Sequence, residues 1–141
     1  MSDSQTVQIY ADGGSRGNPG PAGAGAVIMR GEEVIASVSV FLGHATNNVA
    51  EYTGLVRGLE KAKALGIEQV EVLMDSELVV RQMTGQYKVK HPGLIPLFQK
   101  ARQLASGFSQ FKISHIRREY NKKADALANK AMDAGASEDA I

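Results

Sequence analysis

A chain of 141 residues, 43% of them hydrophobic, has the size and apolar content of one compact domain, expected over 1–141 with its core at about 6–134 and short flexible tails. The absence of cysteine excludes disulfides, thiolate zinc sites and cysteine nucleophiles, and suits a reducing compartment, the cytoplasm by default. A net charge of +1 is too balanced to indicate a polyanionic partner by bulk electrostatics; Met1 to Thr6 lacks the pattern of a secretion signal, and no apolar run approaches the roughly 18 residues needed to cross a bilayer.

Val7, Ile9 and Ala11 alternate with Gln8 and Tyr10, the period of a strand, and the run ends at Asp12. Gly13 to Gly25 is rich in glycine and proline and reads as a loop sliding into a second strand, Ala26 to Met29, with a turn at Arg30 to Glu32. Glu33 to Leu42 alternates again, so the first three strands predict an antiparallel meander. The period then changes. Val49, Tyr52, Val56, Leu59 and Ala62 recur at helical spacing between Asn48 and Leu65, with Gly66 as the stop. Gln69 to Met74 predicts a fourth strand ending at Asp75, and Ser76 is placed to cap a short helix through Met83 that Gly85 ends. A helix over Leu94 to Ala105 follows the break at Pro92 and Gly93, and Phe111 to Ile116 alternates as a fifth strand. Asn121 can cap a last helix, Lys122 to Ala134, with Ala124, Leu127, Ala128 and Ala131 on its buried side; Gly135 to Ile141 is expected to fray. This order implies an α/β fold, a mixed five-stranded sheet with helices on its faces.

Four acids occupy related places in that layout: Asp12 and Asp75 end strands, Glu51 lies in the first turn of the first long helix, and Asp125 opens the last one. Glu51 and Asp125 each have a structural explanation, in a capping-box-like start and in the helix dipole. Asp12 and Asp75 do not, because aspartate is a poor strand residue and both directly follow apolar strands. If the first and fourth strands are parallel neighbours, these two lie side by side at the carboxyl edge, where open sheets place their sites. Two carboxylates about 4 Å apart repel by roughly 4 kcal/mol at an effective dielectric near 20, so four together require cations. With oxygen ligands only, Mg²⁺ or Mn²⁺ fits better than zinc or copper. A pair of such ions roughly 3.5–4 Å apart can bind the attacking water and the leaving oxygen of a phosphodiester, which makes a nuclease chemically sensible.

The segments Asp12 to Gly20 (DGGSRGNPG), Thr46 to Glu51 (TNNVAE), Asp75-Ser76 and Asn121 to Ala128 (NKKADALA) resemble, in order, those of type 1 ribonuclease H, and the likeness covers nearly the whole chain. The resemblance implies the ribonuclease H-like fold, with strands 1–3 antiparallel, strands 4–5 parallel to strand 1, and helices on both faces. It further implies an endonuclease that hydrolyses the RNA strand of RNA/DNA hybrids by two-metal-ion catalysis, leaving 5′-phosphate and 3′-hydroxyl ends. Asp12, Glu51, Asp75 and Asp125 would be the catalytic, metal-binding acids, loaded with two Mg²⁺ ions or with Mn²⁺. The backbone of Gly13, Gly14 and Ser15, with Asn18, Asn47, Asn48 and Ser76, would contact the minor groove of the hybrid, and Thr46 a DNA phosphate. Amides and hydroxyls suit a wide, shallow minor groove lined by 2′-hydroxyls, so sequence preference is expected to be weak. A soluble monomer with no membrane and no obligate protein partner is expected.

Two regions depart from the family pattern. Many relatives carry a basic handle between the third and fourth helices; here Gln86 to Gly93 holds only Lys88, Lys90 and His91, which predicts weaker, more salt-dependent binding. The wider stretch Gln86 to Lys123 carries nine lysines and arginines against Glu119 alone, a pattern that fits either a solvated surface or a binding one. Arg117 to Asn121 lacks the loop histidine of many relatives, leaving Arg118 or Glu119 nearest its place. Arg118 is the expected functional residue, stabilising charge or helping product release but unable to take a proton. His115 shares a strand face with Phe111 and Ile113 and is expected to pack, while His44 reads as a loop residue. Minor activity on duplex RNA is expected besides; the alternatives are a junction resolvase or transposase core on the same architecture, a catalytically silent hybrid-binding module and a purely structural partner domain.

Overall fold

A computed structural model describes residues 6–140. In chain order these form β1 (Thr6–Ser15), β2 (Gly20–Arg30), β3 (Glu33–Ala45), α1 (Asn47–Ala64), β4 (Gln69–Met74), α2 (Glu77–Met83), α3 (Ile95–Ser106), β5 (Gln110–His115), α4 (Lys122–Ala134) and β6 (Glu138–Ala140), with a 3₁₀ turn at Arg118–Tyr120. The sheet order is β5-β4-β1-β2-β3-β6. β1, β2 and β3 form the antiparallel meander, and β4 and β5 run parallel to β1, so the mixed α/β architecture expected from the sequence is the one observed. No helix among the described residues is long and apolar enough to cross a membrane.

Among the described residues the strand count is six rather than five. Glu138–Ala140, read as part of a fraying tail, pairs antiparallel with Ser37 to Ser39 of β3. Gly135, at φ 62°, reverses the chain after α4, and Ser137 Oγ accepts from Phe41 N at 2.8 Å. Lys130–Glu138 and Lys61–Asp139 ion pairs complete the attachment, although all three strand residues stay exposed.

Gly13 to Gly25 is mostly strand rather than loop. β1 runs on to Ser15 and β2 begins at Gly20, so Asp12 sits inside β1 and not at its end. Gly17, at φ 89°, does make the turn between these strands, but Gly13, Gly23 and Gly25 serve close packing. Pleating sends Ala24 and Ala26 to one side of β2 and Gly23 and Gly25 to the other. A Cβ at Gly58 of α1 would meet Ile9 and Ala26, whereas one at Gly23 would meet Ala128 O at 2.5 Å and one at Gly25 would collide with Ala124 O. α1 and α4 therefore cover opposite faces. The main apolar core lies on the α1 side, where Ile9, Ile28, Leu55 and Leu59 are fully buried together with residues of α2 and α3 such as Val79 and Leu104.

Candidate active site

The parallel ladder between β1 and β4 has its last pair at Ala11 and Met74, so Asp12 and Asp75 are the next residues of two neighbouring parallel strands. Asp12 is only 8% exposed, and Asp75 is half-buried. α1 is started by Thr46, whose Oγ1 accepts from Val49 N at 3.2 Å, rather than by Asn48. Glu51 consequently falls past the first turn of α1, not within it. It is carried to the site by main-chain contact: a Cβ at Gly13 would collide with Ala50 and Glu51 backbone, and one at Gly54 would meet Asp12 O at 2.5 Å. Asp125 arrives from the opposite face in the first turn of α4, its N–H donating to Asn121 O at 3.1 Å.

Asp12, Glu51, Asp75 and Asp125 thus come from four elements and line one cavity of about 540 Å³. Burial raises Asp12 to about 8; the charge of Asp75 and a hydrogen-bonding contact with Asp125 add to this, against a lowering hydrogen bond from Gly13 N–H. Burial also raises Glu51 to about 7, opposed by a hydrogen bond from Ser76 and assisted by the charge of Asp75. Ser76 Oγ is doubly engaged, because it also caps α2 by accepting from Val79 N at 3.3 Å, and its residue is only 7% exposed. Among the described residues, no group of three or more acidic, cysteine or histidine side chains is arranged to hold a metal ion as it stands. The cavity nevertheless gathers four carboxyls, of which Asp12 and Glu51 hold protons too tightly when left together, with hydroxyl and amide groups beside them and Arg16, Arg118 and Met132 also in its lining. That donor chemistry fits a hard divalent cation.

The remaining residues expected at the site divide. Gly13, Gly14, Ser15, Asn47, Asn48 and Arg118 line the same cavity, while Asn18, Thr46 and Ser76 are outside its lining. Asn47 Oδ1 accepts from Ser15 N at 2.7 Å and from Ser15 Oγ at 3.2 Å, and Asn47 N donates to Asn18 Oδ1 at 3.1 Å. These bonds tie the glycine-rich end of β1, the β1–β2 turn and the start of α1 into one rigid rim. Asn47 uses its oxygen inward, so its amide N–H groups remain as donors.

Sequence reasoning missed Arg16, Asn129 and Met132, which also line the cavity. Arg16 reaches Asp133 at 2.7 Å and Asn129 Oδ1 at 3.4 Å, joining the β1–β2 turn to α4. Asn129 was detectable in principle, since it lies four residues after Asp125 on one helix face and donates to Asp125 O at 3.1 Å. Two other expectations are corrected. Asn121 makes no capping bond with its side chain, and His115 is exposed rather than packed, because β5 is an edge strand with only Ile113 buried. His44 lies in β3 opposite Pro21 and is exposed. Lys88, Lys90, Lys100, Arg102 and Lys112 are exposed, Lys100 and Lys112 facing Glu60 and Glu71 at 3.9 Å.

The chain matches the reverse transcriptase-like family over residues 10–131. It is 54% identical over 132 residues to bifunctional protein Rv2228c of Mycobacterium tuberculosis, covering 92% of this chain and 36% of that protein. It is 44% identical over 128 residues to ribonuclease HI of Halobacterium salinarum, covering 90% of this chain and 64% of that one. The chain therefore spans less than two thirds of the length of either relative. The structure of LC11-RNase H1 in complex with RNA/DNA hybrid superposes with a TM-score of 0.86 at 45% identity, covering 92% of this chain and 98% of that one.

Proposed function

The chain belongs to the ribonuclease H family, and from that premise we propose that it is a metal-dependent endonuclease cutting the RNA strand of RNA/DNA hybrids. The observation that carries this reading is the convergence of four carboxylates, from β1, α1, the end of β4 and α4, on one cavity beside a rim of amide and hydroxyl groups. The solved LC11-RNase H1 complex supports an RNA/DNA hybrid as the ligand. The products are a 5′-phosphate and a 3′-hydroxyl: water attacks phosphorus and the O3′ side of the phosphodiester leaves with the water's proton. Little sequence preference, minor activity on duplex RNA, a monomeric state and a cytoplasmic setting belong to the same reading.

Asp12, Glu51, Asp75 and Asp125 would hold two Mg²⁺ ions, with Mn²⁺ as a substitute; when bound, such ions lower the pKa of water and neutralise the leaving oxygen. The chain's own groups do the rest. Ser76 donates to Glu51 and fixes the direction of that carboxylate. Backbone N–H groups of Gly13, Gly14 and Ser15, with Asn18, Asn47 and Asn48, present donors of the kind that read 2′-hydroxyls and minor-groove base edges. Thr46 accepts one backbone N–H and keeps its hydroxyl proton to donate to a DNA phosphate. Arg118, exposed at the cavity wall, brings a permanent positive charge toward negative charge developing on the phosphate.

The test is cleavage of labelled hybrid, duplex RNA and branched DNA by purified protein in Mg²⁺, with EDTA and the Asp12→Asn variant as controls. Hybrid cleavage abolished by both controls is expected. Undiminished activity in EDTA or in the variant would remove the acids from the chemistry. Arg118→Ala should lower kcat by about tenfold, and an unchanged kcat would remove its assigned role.

A further inference from the structure

Asn121 is a polar residue buried to 1% exposure that the proposed chemistry does not use. Its position at the start of α4 suggests a cap, yet both Nδ2 hydrogens point the other way, to Ala11 O and to Asp75 Oδ1, each at 2.9 Å. Among the described residues Oδ1 has no hydrogen-bond partner although it is buried, which is unfavourable. Turning the amide over would set its oxygen against two other oxygens, so the two acceptors fix its orientation. The amide lies just beyond the last rung between β1 and β4, Ala11 with Met74, and bridges the β1 main chain to the first side chain after β4. The same residue's backbone oxygen receives Asp125 N at 3.1 Å.

Resting on the proposed function, the geometry points to Asn121 as a positioning residue for the metal-binding carboxylates. Its side chain fixes one oxygen of Asp75 and leaves Oδ2 for a cation, while its main chain fixes the first turn that carries Asp125. One residue therefore sets the spacing between an acid from the sheet and an acid from α4. A neutral amide is suited to this. Lysine or arginine could hold Asp75 as well, but would place a positive charge where a divalent ion must bind. The unpaired Oδ1 is the cost of keeping both donors on the site side.

The experiment is calorimetric titration of Mg²⁺ alone into wild-type, Asn121→Ala, Asn121→Ser and Asp75→Asn proteins, with kcat and KM on hybrid measured in parallel. Asn121→Ala should bind Mg²⁺ about 10–100-fold more weakly and lose kcat in similar proportion, with hybrid KM changed less than about threefold. Asn121→Ser, which keeps a small donor, should fall between it and wild type, and it carries the test if the alanine variant does not fold. A lowered Tm with Mg²⁺ affinity and kcat unchanged would make Asn121 a strut only and overturn the assignment. If wild type binds Mg²⁺ and cuts hybrid while Asp75→Asn does neither, the proposed function stands whichever way Asn121 behaves. If wild type neither binds Mg²⁺ nor cuts hybrid, the proposed function fails and takes this assignment with it.

Discussion

On the α1 side of the sheet, large aliphatic side chains such as Ile9, Ile28, Leu55 and Leu59 fill a deep core, whereas on the α4 side Gly23 and Gly25 meet Ala124, Ala128 and Ala131 almost backbone to backbone. The first contact buries much apolar surface and contributes most of the hydrophobic stabilisation, but its side chains can repack around a change. The second buries little and yields little energy. It instead fixes the distance between α4 and β2, and with it the place of Asp125 beside Asp12. One face is built for stability and the other for placement.

The largest expected effect comes from forcing the second face apart. In Gly25→Val the new Cβ collides with Ala124 O, so α4 must retreat by about 1 Å, enough to lower hybrid cleavage at least about 100-fold. Stability should fall by about 1–3 kcal/mol as well. Full activity in that variant would break the comparison. Leu59→Ala on the other face should show the reverse pattern: a loss of about 2–5 kcal/mol and roughly 10 °C in Tm, with kcat at 25 °C within about twofold of wild type. A large drop in kcat there would mean that the two faces are not separable.

The smallest effect is in pH. The folded, metal-free protein keeps the Asp12 proton up to about 8 and the Glu51 proton up to about 7, against 3.8 and 4.5 for the free groups. Between those limits the folded state binds more protons than the unfolded chain, so stability declines as pH rises from about 4 to about 8. Thermal unfolding in EDTA across that range should show the decline as a falling Tm. Asp12→Asn should show a shallower slope, since the contribution of the raised Asp12 is removed and that of Glu51 remains. A slope unchanged by the substitution would show that Asp12 does not hold its proton as described.

The strands, helices and their order were legible in the sequence because apolar periodicity is strong wherever a side chain meets the α1 core, as in Val7-Ile9-Ala11 and Val70-Val72-Met74. Legibility failed where packing does not use large residues. Gly13 to Gly25 has the composition of a loop and the structure of two strands, since tight contact with α1 and α4 demands the same residue that turns do. β6 escaped notice because three exposed polar residues carry no alternation. Of the four acids the sequence points to, Asp75 and Asp125 stand at a strand end and a helix start as expected, whereas Asp12 lies inside β1 and Glu51 past the first turn of α1. Asn121 was misread because a cap and a cross-link call for the same residue type, and only coordinates tell which way the amide points.

The contact of Gly13 with the Ala50 backbone, mirrored by Gly54 against Asp12 O, leaves no room for a side chain at this crossing of α1 and β1. Rotamers jump and cores breathe, but two peptide planes in van der Waals touch have no soft coordinate to relax along. The gap from Asp12 to Glu51 therefore behaves as a hard stop rather than a spring. Heat or a distant substitution can loosen the cavity by swinging Asp75 or Asp125, while the Asp12–Glu51 edge keeps its gauge until the helix leaves the sheet altogether.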